Sequence, residues 1–361
     1  MRILVTGAAG FLGWHLRVRL AATTEHEVDA VDRDEWPELA ERVANADAVI
    51  HLAGVNRGPE DEVRDGNIRL AQELAETLSG AGRTRALVYA NSIQAGNRTP
   101  YGDGKEQAGT ILRAAAAAAG VTYTEVLLPN IFGEHGQPDY NSFVATFVHR
   151  VASGLAPQVT DRDVELLHVQ DAAATLLDAL VNPSDVLRPR GTGTTVAGVL
   201  DLLVAQHAVY RRAEIPVLRS LFELQLFNTL RAAMFPASSP MPLEWRTDER
   251  GGLVEVVRAQ GSAGQTFLSH THPGVTRGQH FHLRKLERFA VLGGEGRIAL
   301  RRALTDEVVT FDVSGDRPVV VDMPTLWAHS LTNTGSGQLT TVFWTSELFD
   351  PGDPDTYPMV V

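Results

Sequence analysis

The feature that most restricts the fold of this sequence is a set of three glycines directly after a short apolar segment near the amino terminus. Gly7, Gly10 and Gly13 are spaced Gly-x-x-Gly-x-x-Gly after the segment Arg2 to Thr6. A tight turn needs a residue without Cβ, a pyrophosphate needs close approach of the backbone, and the next helix must pack on the strand. The alternative is a glycine-rich turn without a ligand, which the position at the first strand–helix junction disfavours. Since the helix N-terminus then faces the phosphates, we predict a dinucleotide site made of Gly7, Gly10, Phe11, Leu12 and Gly13.

The first half of the sequence alternates short β-rich runs with helical segments. The runs are largely apolar and are bounded by polar or glycine-containing stretches, as expected for strands buried on both faces. The predicted strands are Arg2 to Thr6, Glu27 to Val31, Ala48 to Leu52, Arg85 to Ala90, Thr122 to Leu128 and Val164 to Val169. The predicted helices are Leu70 to Leu78, Gln107 to Ala119, and one capped by Asp171 that runs through Leu180. Repeated βα units of this kind indicate a doubly wound parallel sheet.

The second half of the sequence has a different pattern of predicted elements. Val196 to Met234 is helical in pattern, and residues 235–242 contain three prolines, which break any regular element. The β-rich segments beyond include Leu253 to Arg258, Phe289 to Leu292, Arg297 to Arg302, Glu307 to Val313, Val319 to Met323 and Leu339 to Trp344. Closely spaced strands without helices predict a β-sandwich or barrel. Because 361 residues are too many for one ordinary core, we predict two domains, residues 1–243 and 244–361, with the proline-rich segment as linker.

The composition excludes several classes of function. The absence of cysteine rules out a disulfide framework and a thiolate metal site. The net charge is −12 and the basic residues are scattered, so we expect no nucleic-acid partner. No apolar run is long enough to span a bilayer, and the amino terminus lacks the features of a signal peptide. We therefore expect a cytoplasmic protein without membrane insertion.

The residues at the ends of the second and third predicted strands extend the dinucleotide site. Asp32 ends the second strand, where a carboxylate can accept hydrogen bonds from the adenosine ribose, whereas Arg33 could pair with a 2′-phosphate. Asp32 favours NAD and Arg33 favours NADP, so the choice between the two cofactors stays open. Small residues at the third strand end would let the cofactor lie against it, and the alternative for each of them is tight packing alone. The candidates here are Asp47, before the third strand, and Leu52, Ala53 and Gly54, at its end.

A second group of residues has the spacing of a redox site. Tyr101 and Lys105 form Tyr-x-x-x-Lys, which places both side chains on one face of a helix. The lysine can then lower the phenol pKa and hold the nicotinamide ribose, and the phenol can donate a proton to a carbonyl oxygen during hydride transfer. Ser92, just past the fourth strand, can hydrogen-bond the same oxygen. The pattern is common by chance, but is more specific after the glycine triplet and a serine at a strand end.

The C-terminal half carries a set of metal-ligand residue types. His280 and His282 alternate in the sequence, so on a strand they would point together into a barrel interior. Glu287 could enter from the following strand, and His329 can supply a fourth ligand. Three imidazoles and one carboxylate suit Zn, Fe, Mn or Ni, with open positions for substrate or water. The alternative is a set of interior histidines without a metal. We expect a divalent metal, and Zn first.

These pieces together resemble the extended short-chain dehydrogenase/reductases that act on nucleotide sugars, whose fold is of the Rossmann type. Similar segments are the glycine triplet, Asp47 before His51-Leu52-Ala53-Gly54, Leu128-Pro129-Asn130-Ile131-Phe132-Gly133 and His168-Val169-Gln170-Asp171. The resemblance implies that Ser92, Tyr101 and Lys105 are the catalytic set, and that Pro129 and Asn130 lie near the cofactor. It also implies that the nucleotide sugar is contacted by Asn130, Asn141, Ser142 and Arg162.

The second half resembles the cupins, small β-barrels of the jelly-roll type. The first cupin motif fits from Gly274 to Gly294, while the second departs from the usual pattern at Pro318 and Leu326, where glycine is common. A reductase followed by a cupin, in this order and length, is similar to the bifunctional capsule-biosynthesis enzymes of the CapF type, which act in the route to UDP-N-acetyl-L-fucosamine. The matching segments include Asn91-Ser92-Ile93-Gln94-Ala95, Tyr140-Asn141-Ser142 and Pro354-Asp355-Thr356-Tyr357.

That resemblance implies a two-step reaction. The cupin would epimerise C3 of a UDP-4-keto-6-deoxy-N-acetylhexosamine, and the reductase would then reduce C4 with NADPH, or with NADH, to give a UDP-2-acetamido-2,6-dideoxy-L-talose-type sugar. The resemblance also implies a homodimer. The residues alone do not choose between C3 and C5, because both carbons are adjacent to the ketone. Alternative interpretations are a 4-ketosugar reductase with a non-catalytic cupin used for dimerisation or effector binding, a redox sensor, and a cupin dioxygenase fused to a dehydrogenase.

Overall fold

The computed structural model describes residues 1–80, 82–249, 251–261 and 264–361. The chain divides into two compact units. The first comprises Met1–Phe143 and Asp161–Val196, and the second comprises Val144–Thr160 and Ala197–Val361. This division by contacts assigns residues 197–243 to the second unit, so it does not coincide with the domain boundary expected after residue 243, which stays a prediction.

The first unit is built on a parallel sheet of six strands. The strands of the whole unit, in chain order, are β1 (Arg2–Thr6), β2 (Glu27–Val31), β3 (Ala48–His51), β4 (Ala86–Ser92), β5 (Thr122–Leu128), β6 (Asn130–Phe132), β7 (Asp163–His168), β8 (Val186–Leu187) and β9 (Thr192–Thr195). The large sheet has the order β2-β1-β3-β4-β5-β8, and β6, β7 and β9 form a small second sheet. The order changes direction between β1 and β3, and in open α/β sheets a ligand binds at such a switch point, outside the carboxyl ends of the strands.

Helices cover both faces of this sheet, which confirms the predicted doubly wound fold. The α-helices of the described residues are α1 (Phe11–Thr23), α2 (Leu39–Asn45), α3 (Glu60–Leu78), α4 (Pro100–Ala119), α5 (Phe143–Ala152), α6 (Val169–Val181), α7 (Val196–Tyr210) and α8 (Leu221–Met234). Successive residues of a strand point to opposite faces. Accordingly, Ile3 packs in the core beneath α1 and α6, whereas Leu4 packs in the core beneath α2, α3 and α4. Among the described helices, none is both long and apolar enough to cross a bilayer.

Local capping explains where the helices near the site begin. Thr99 caps α4, because its hydroxyl oxygen accepts a hydrogen bond from the Gly102 N–H, and Pro100 occupies the first turn. The structure corrects the predicted start of α6: the cap is His168, whose side chain accepts from the Gln170 N–H, while Asp171 lies inside the first turn. An acidic residue in the first turn still interacts favourably with the helix dipole.

The second unit is built mainly on two five-stranded antiparallel sheets. Its strands are β10 (Glu214–Ile215), β11 (Met241–Pro242), β12 (Arg246–Asp248), β13 (Gly251–Leu253), β14 (Arg258–Ala259), β15 (Gln265–Thr271), β16 (Thr276–Phe281), β17 (Glu287–Gly293), β18 (Glu295–Arg302), β19 (Val308–Ser314), β20 (Val319–Met323), β21 (Trp327–Asn333), β22 (Leu339–Thr345) and β23 (Tyr357–Pro358). The five-stranded sheets have the orders β11-β20-β17-β22-β15 and β19-β18-β21-β16-β23. Side chains of both sheets share one apolar core, as in a cupin.

The proline-rich segment is packed against this β-structure. The Phe235 ring lies 4.9 Å from the Trp327 ring, and β11 pairs with β20 through Met241 and Val320. The preceding helix α8 is also attached, because Arg231 Nη2 donates to the Met323 carbonyl oxygen at 2.9 Å. Residues 235–242 were expected to be a linker, but these contacts make them part of the second unit.

Candidate functional site

The glycine loop, residues 7–13, follows β1 and lies against the backbone that follows β3. Gly7 has φ +66°, and a Cβ there would lie 2.9 Å from the Ala53 backbone nitrogen. A Cβ at Gly13 would lie 2.2 Å from the Gly7 carbonyl oxygen. Gly10 is the N-cap of α1. The first and third glycines are therefore required by close backbone contacts, and α1 begins at the sheet edge where a pyrophosphate would bind.

The acidic residue that follows β2 is tied to this loop. Asp32 Oδ1 accepts a hydrogen bond from the Ala9 N–H at 3.0 Å, while Arg33 is exposed. At the end of β3, the Ala53 N–H donates to the Thr6 hydroxyl oxygen at 3.3 Å. The structure thus brings Asp32 to the glycine loop, and it brings Leu52, Ala53 and Gly54 to the end of β3 beside Gly7.

One predicted cofactor residue lies elsewhere. Asp47 precedes β3, and its carboxylate accepts hydrogen bonds from the Arg2 backbone N–H at 2.7 Å and from Arg83 at 2.8 Å. These two bonds hold its pKa below the usual range. Since β3 runs parallel to β1, Asp47 lies at the amino end of the sheet, opposite the glycine loop. The structure assigns it a role in holding strands together and does not bring it to the predicted dinucleotide site.

The three candidate redox residues come together at the carboxyl end of β4. Ser92 ends β4, while Tyr101 and Lys105 lie one turn apart on α4. Burial raises the pKa of the Tyr101 phenol, and a hydrogen bond with Ser92 opposes this rise. Burial therefore outweighs the hydrogen bond with Ser92 in its effect on the Tyr101 pKa, and the lowering of that pKa by Lys105 stays a prediction.

The Lys105 side chain is held beneath the site. It is 5% exposed, and its Nζ donates to the Ala90 carbonyl oxygen at 2.8 Å and lies 4.3 Å from the centre of the Tyr89 ring. Burial lowers the pKa of Lys105 to about 7, and the Glu125 carboxylate opposes this effect. The ammonium of Lys105 thus loses its charge near neutral pH. The groups around it, such as the Glu125 carboxylate, therefore affect how much of the charged form is present.

Sequence reasoning missed the polar group behind Lys105. Glu125 on β5 accepts hydrogen bonds from Asn91 Nδ2 at 2.5 Å and from Arg113 Nη2 at 2.6 Å. Asn91 Nδ2 also donates to the Lys105 carbonyl oxygen at 3.2 Å. A signal was present in the sequence, since Glu125 is the one charged residue in the predicted strand Thr122 to Leu128. Burial of such a group requires partners.

The residues predicted from the nucleotide-sugar enzymes are spread over several elements. Pro129 directly follows β5, whose last residue is paired with Ser92, so it lies at the same sheet edge as the redox residues. Asn130 begins β6 and its Nδ2 donates to the Glu165 carbonyl oxygen at 3.4 Å. Asn141 is exposed and Ser142 is half-buried in the loop before α5. Arg162 is exposed at the amino end of β7, and the structure does not bring it to Asn130.

The four predicted metal ligands form one cluster in the second unit. His280 lies on β16 opposite His329 on β21, His282 follows β16, and Glu287 begins β17. One ligand atom from each of the four residues lies within 4.8 Å of all the others. Glu287 Oε2 is 2.8 Å from His282 Nε2, 3.3 Å from His329 Nε2 and 3.9 Å from His280 Nε2.

A close approach of strands makes this cluster possible. Gly278 has φ +95°, and a Cβ there would lie 2.6 Å from the His329 carbonyl oxygen. The pairing of β16 with β21 shifts between Gly278 and His280. A bulge of this kind bends a strand and re-aims the next side chain. Here it brings the His280 ring to within 4.5 Å of the His329 ring.

The protonation states fit a divalent metal. Burial lowers the pKa of His329 to about 3, so its ring is neutral at physiological pH. Burial alone would raise the pKa of Glu287, but the hydrogen bond with His282 and the nearby imidazoles lower it to about 2. Within the described residues, neither ring nitrogen of His329 has a hydrogen-bond partner. An ionised carboxylate and a buried imidazole nitrogen without a partner are what a metal site of three histidines and one carboxylate requires.

The fold and the two groups of residues define a class of protein: a nicotinamide-dependent enzyme of the Rossmann type followed by an antiparallel β-domain of the cupin type. Comparison with known proteins agrees. Residues 3–192 match the NAD dependent epimerase/dehydratase family, and residues 246–357 match the polysaccharide biosynthesis C-terminal domain.

Relatives extend this match to the full length. The chain is 31% identical to UDP-2-acetamido-2,6-beta-L-arabino-hexul-4-ose reductase of Pseudomonas aeruginosa, over 99% of this chain and 98% of the relative. The crystal structure of the capsular polysaccharide assembling protein CapF from Staphylococcus aureus is 34% identical over 100% of both chains, with a TM-score of 0.66. UDP-glucose 4-epimerase of Thermotoga maritima, 21% identical over 58% of this chain and 83% of that chain with a TM-score of 0.51, shares the fold. The chain belongs to the NAD dependent epimerase/dehydratase family and is a CapF-type member of it.

Proposed function

We propose that this protein is a bifunctional nucleotide-sugar enzyme. The cupin epimerises C3 of a UDP-4-keto-6-deoxy-N-acetylhexosamine, and the reductase then reduces the C4 ketone to give a UDP-2-acetamido-2,6-dideoxy-L-talose-type sugar. The observation that carries the proposal is the end-to-end match to a UDP-hexul-4-ose reductase, in a chain that keeps both a redox group and a cluster of metal-ligand residues.

In the reduction, the chain supplies the proton and the alignment. The Tyr101 hydroxyl donates a proton to the C4 oxygen, and Ser92 hydrogen-bonds the same oxygen. Lys105, whose ammonium donates a hydrogen bond to the Ala90 carbonyl oxygen, would hold the nicotinamide ribose. The nicotinamide, when bound, supplies the hydride. At the glycine loop, the N-terminus of α1 would bind the pyrophosphate and Asp32 would accept hydrogen bonds from the adenosine ribose.

In the epimerisation, the chemistry depends on the ketone. The C3 proton is acidic only while C4 is a ketone, because the enolate then carries the charge on oxygen. A divalent metal, when bound, polarises the sugar oxygens and so stabilises that charge. The residues that would hold it are His280, His282, Glu287 and His329, whose ligand atoms lie within 4.8 Å of one another. A metal held by three imidazoles and one carboxylate can keep an open position for a substrate oxygen.

The test is proton NMR of a UDP-4-keto-6-deoxy-N-acetylhexosamine mixed with metal-loaded enzyme in D2O, without nicotinamide. The expected result is deuterium at C3, followed on addition of NADPH by a C4 alcohol. Exchange at C5 instead would overturn the choice of carbon. Absence of exchange at every carbon, with reduction intact, would overturn the epimerase part of the proposal.

Two variants assign the steps to their residues. We expect Tyr101→Phe to abolish reduction and to spare deuterium exchange, because it removes only the proton donor. We expect His280→Ala to abolish exchange and to spare reduction of a pre-epimerised ketone. Loss of both activities in both variants, with folding intact by circular dichroism, would contradict separate sites.

A second candidate is a 4-ketosugar reductase whose cupin binds a metal for dimerisation or for an effector. It is favoured by the name of the Pseudomonas aeruginosa relative, which mentions reduction only. The two candidates differ in the NMR experiment, since only the bifunctional enzyme exchanges a carbon-bound proton without nicotinamide.

The proposal includes a cofactor, a metal, substrate contacts and an assembly. We propose NADPH, with the exposed Arg33 pairing to its 2′-phosphate, and Zn in the cupin. The proposed contacts to the nucleotide sugar are Asn130, Asn141, Ser142 and Arg162. Metal analysis of the purified protein tests the zinc. Light scattering at micromolar concentration tests the proposed homodimer, which a monomeric mass would exclude.

A further inference from the structure

The last residues of the chain lie along the strand that carries the first metal ligand. β23 pairs with β16, so that His280 faces Pro358 and Phe281 faces Tyr357. The Met359 N–H donates to the Gln279 carbonyl oxygen at 2.9 Å, and the Phe281 and Tyr357 rings lie 5.5 Å apart. The C-terminal segment therefore extends the sheet beside the ligand cluster.

Within this segment, Asp355 binds the turn that joins two of the ligands. Its carboxylate accepts three backbone hydrogen bonds, from Leu283 at 3.0 Å, from Arg284 at 3.0 Å and from Lys285 at 2.8 Å. These are the first three of the four residues that connect His282 to Glu287. Asp355 is 1% exposed and has φ +42°, a conformation that a non-glycine residue keeps only when its surroundings hold it.

The main chain of the same residue fixes the ring of His282. The Nδ1 atom of His282 lies 2.6 Å from the Asp355 carbonyl oxygen. A carbonyl oxygen only accepts, so Nδ1 carries the hydrogen and donates it. The other ring nitrogen, Nε2, then faces Glu287 and the rest of the cluster. The carboxylate of Asp355 therefore holds the turn in position, and its carbonyl oxygen orients the His282 ring so that Nε2 is directed toward the cluster.

We propose that Asp355 is a positioning residue of the metal centre: its carboxylate holds the turn at residues 283–285, and its carbonyl oxygen orients His282 so that Nε2 binds the metal. This inference rests on the proposed metal site. It assigns a role in the metal centre to a residue at the far end of the chain, about seventy positions from the ligand that it orients. The partner of a ligating histidine fixes the ring orientation, and losing it typically weakens metal binding by about 10–100-fold.

The same segment offers a matched control. Asp353 is two residues earlier, is exposed, and its carboxylate oxygen lies 2.8 Å from Arg284 Nη2. It thus carries the same charge and contacts the same turn, but through a solvated side-chain pair. Asp353→Asn should leave metal binding within about twofold of the parent, because an exposed pair of this kind contributes little.

The experiment uses the full-length protein and two readouts other than activity. Zn²⁺ affinity is measured by competition with a chromophoric chelator, and the geometry of the site by the visible absorption spectrum at saturating Co²⁺. We expect Asp355→Ala to weaken Zn²⁺ binding by about 10–100-fold and to change the Co²⁺ spectrum. Asp355→Asn, which keeps one acceptor oxygen for the turn, should fall between the parent and the alanine variant.

The outcomes separate this inference from the metal site itself. Unchanged Zn²⁺ affinity and an unchanged Co²⁺ spectrum in Asp355→Ala, with His329→Ala abolishing binding, would overturn the positioning role alone. Equal and negligible binding by the parent and by His329→Ala would overturn the metal site, and the positioning role with it. If Asp355→Ala fails to fold, Asp355→Asn carries the same test, because an unchanged spectrum in that folded variant contradicts the role.

Discussion

A buried ion pair lies one residue from a proposed metal ligand and gives the sharpest stability prediction. Arg288 follows Glu287 on β17, and its guanidinium contacts Asp322 on β20 through Nε–Oδ1 at 2.6 Å and Nη2–Oδ2 at 2.8 Å. The two side chains are 1% and 3% exposed. Arg288 Nη1 also donates to the Ala213 carbonyl oxygen at 2.6 Å. The guanidinium therefore has almost no contact with water and depends on this one carboxylate for its neutralisation.

Asp322→Ala should destabilise the second unit by about 3–5 kcal/mol, because it leaves a buried charge without its partner. The matched control is the pair Arg297–Asp312 on β18 and β19, with a similar distance of 2.8 Å but both side chains more than half exposed. Asp312→Ala should cost less than about 1 kcal/mol. Replacing Arg288 by Met and Asp322 by Leu together should recover most of the loss, since the desolvation penalty of both charges disappears.

Hydrogen–deuterium exchange with mass spectrometry measures this effect in the right part of the chain. Two compact units need not unfold together, so a single unfolding curve would mix them. A loss of about 3–5 kcal/mol corresponds to exchange faster by about 140-fold to about 4,000-fold in peptides from β17 and β20. A change below about tenfold in Asp322→Ala, or one equal to that of Asp312→Ala, would refute the reasoning from burial.

Three further predictions concern the reductase part. Gly13→Ala places a Cβ 2.2 Å from a backbone oxygen of the glycine loop, so NADPH binding by fluorescence titration should weaken at least tenfold, whereas Gly193→Ala, with no atom within 4 Å of the added Cβ, should leave it unchanged. Reduction should slow as the pH rises through the Lys105 pKa of about 7, because the ammonium is then lost, and Glu125→Gln should move that fall to lower pH by removing the carboxylate that favours the charged form. A pH profile of kcat/KM that is identical in Glu125→Gln and the parent would contradict this. Arg33→Ala should raise the KM for NADPH and leave the KM for NADH unchanged, and equal effects on both would show that Arg33 does not contact a 2′-phosphate.

The parts of the fold predicted from the sequence are those that have a local cause. Short β-rich runs that are bounded by polar or glycine-containing stretches indicate strands, so Arg2–Thr6, Glu27–Val31 and Thr122–Leu128 were predicted with their observed bounds. Spacing along one element also sufficed to put Tyr101 and Lys105 on one helical face. The four candidate metal ligands were predicted as a group because their residue types suit a metal and because their spacing fits the strands that carry them.

The parts that were missed depend on contacts between distant residues. Trp327–Asn333 was not predicted as a strand because it contains His, Ser and Asn, which are buried there through the ligand cluster and through hydrogen bonds such as Asn333 Nδ2 to the Thr271 carbonyl oxygen. The proline-rich segment reads as a linker until the Phe235 ring is seen packed on Trp327. The segment that contains Asp355 resembles the CapF-type enzymes, but nothing local predicts its three hydrogen bonds, which reach about seventy residues back along the chain.

The chemistry of the proposed substrate fixes the order of the two steps and gives a way to measure their balance. Epimerisation needs the acidity that the C4 ketone confers, and reduction of that ketone removes it, so a sugar reduced too early can no longer be epimerised. The ratio of epimerised to unepimerised alcohol therefore reports the competition between the two sites for one ketone. Weakening the cupin by His280→Ala, with NADPH present from the start, should lower that ratio. Weakening the reductase by Ser92→Ala should raise it, because the ketone then survives longer. A ratio that does not respond to either change would mean that the two steps do not compete for a common ketone, and the two-step scheme would fail.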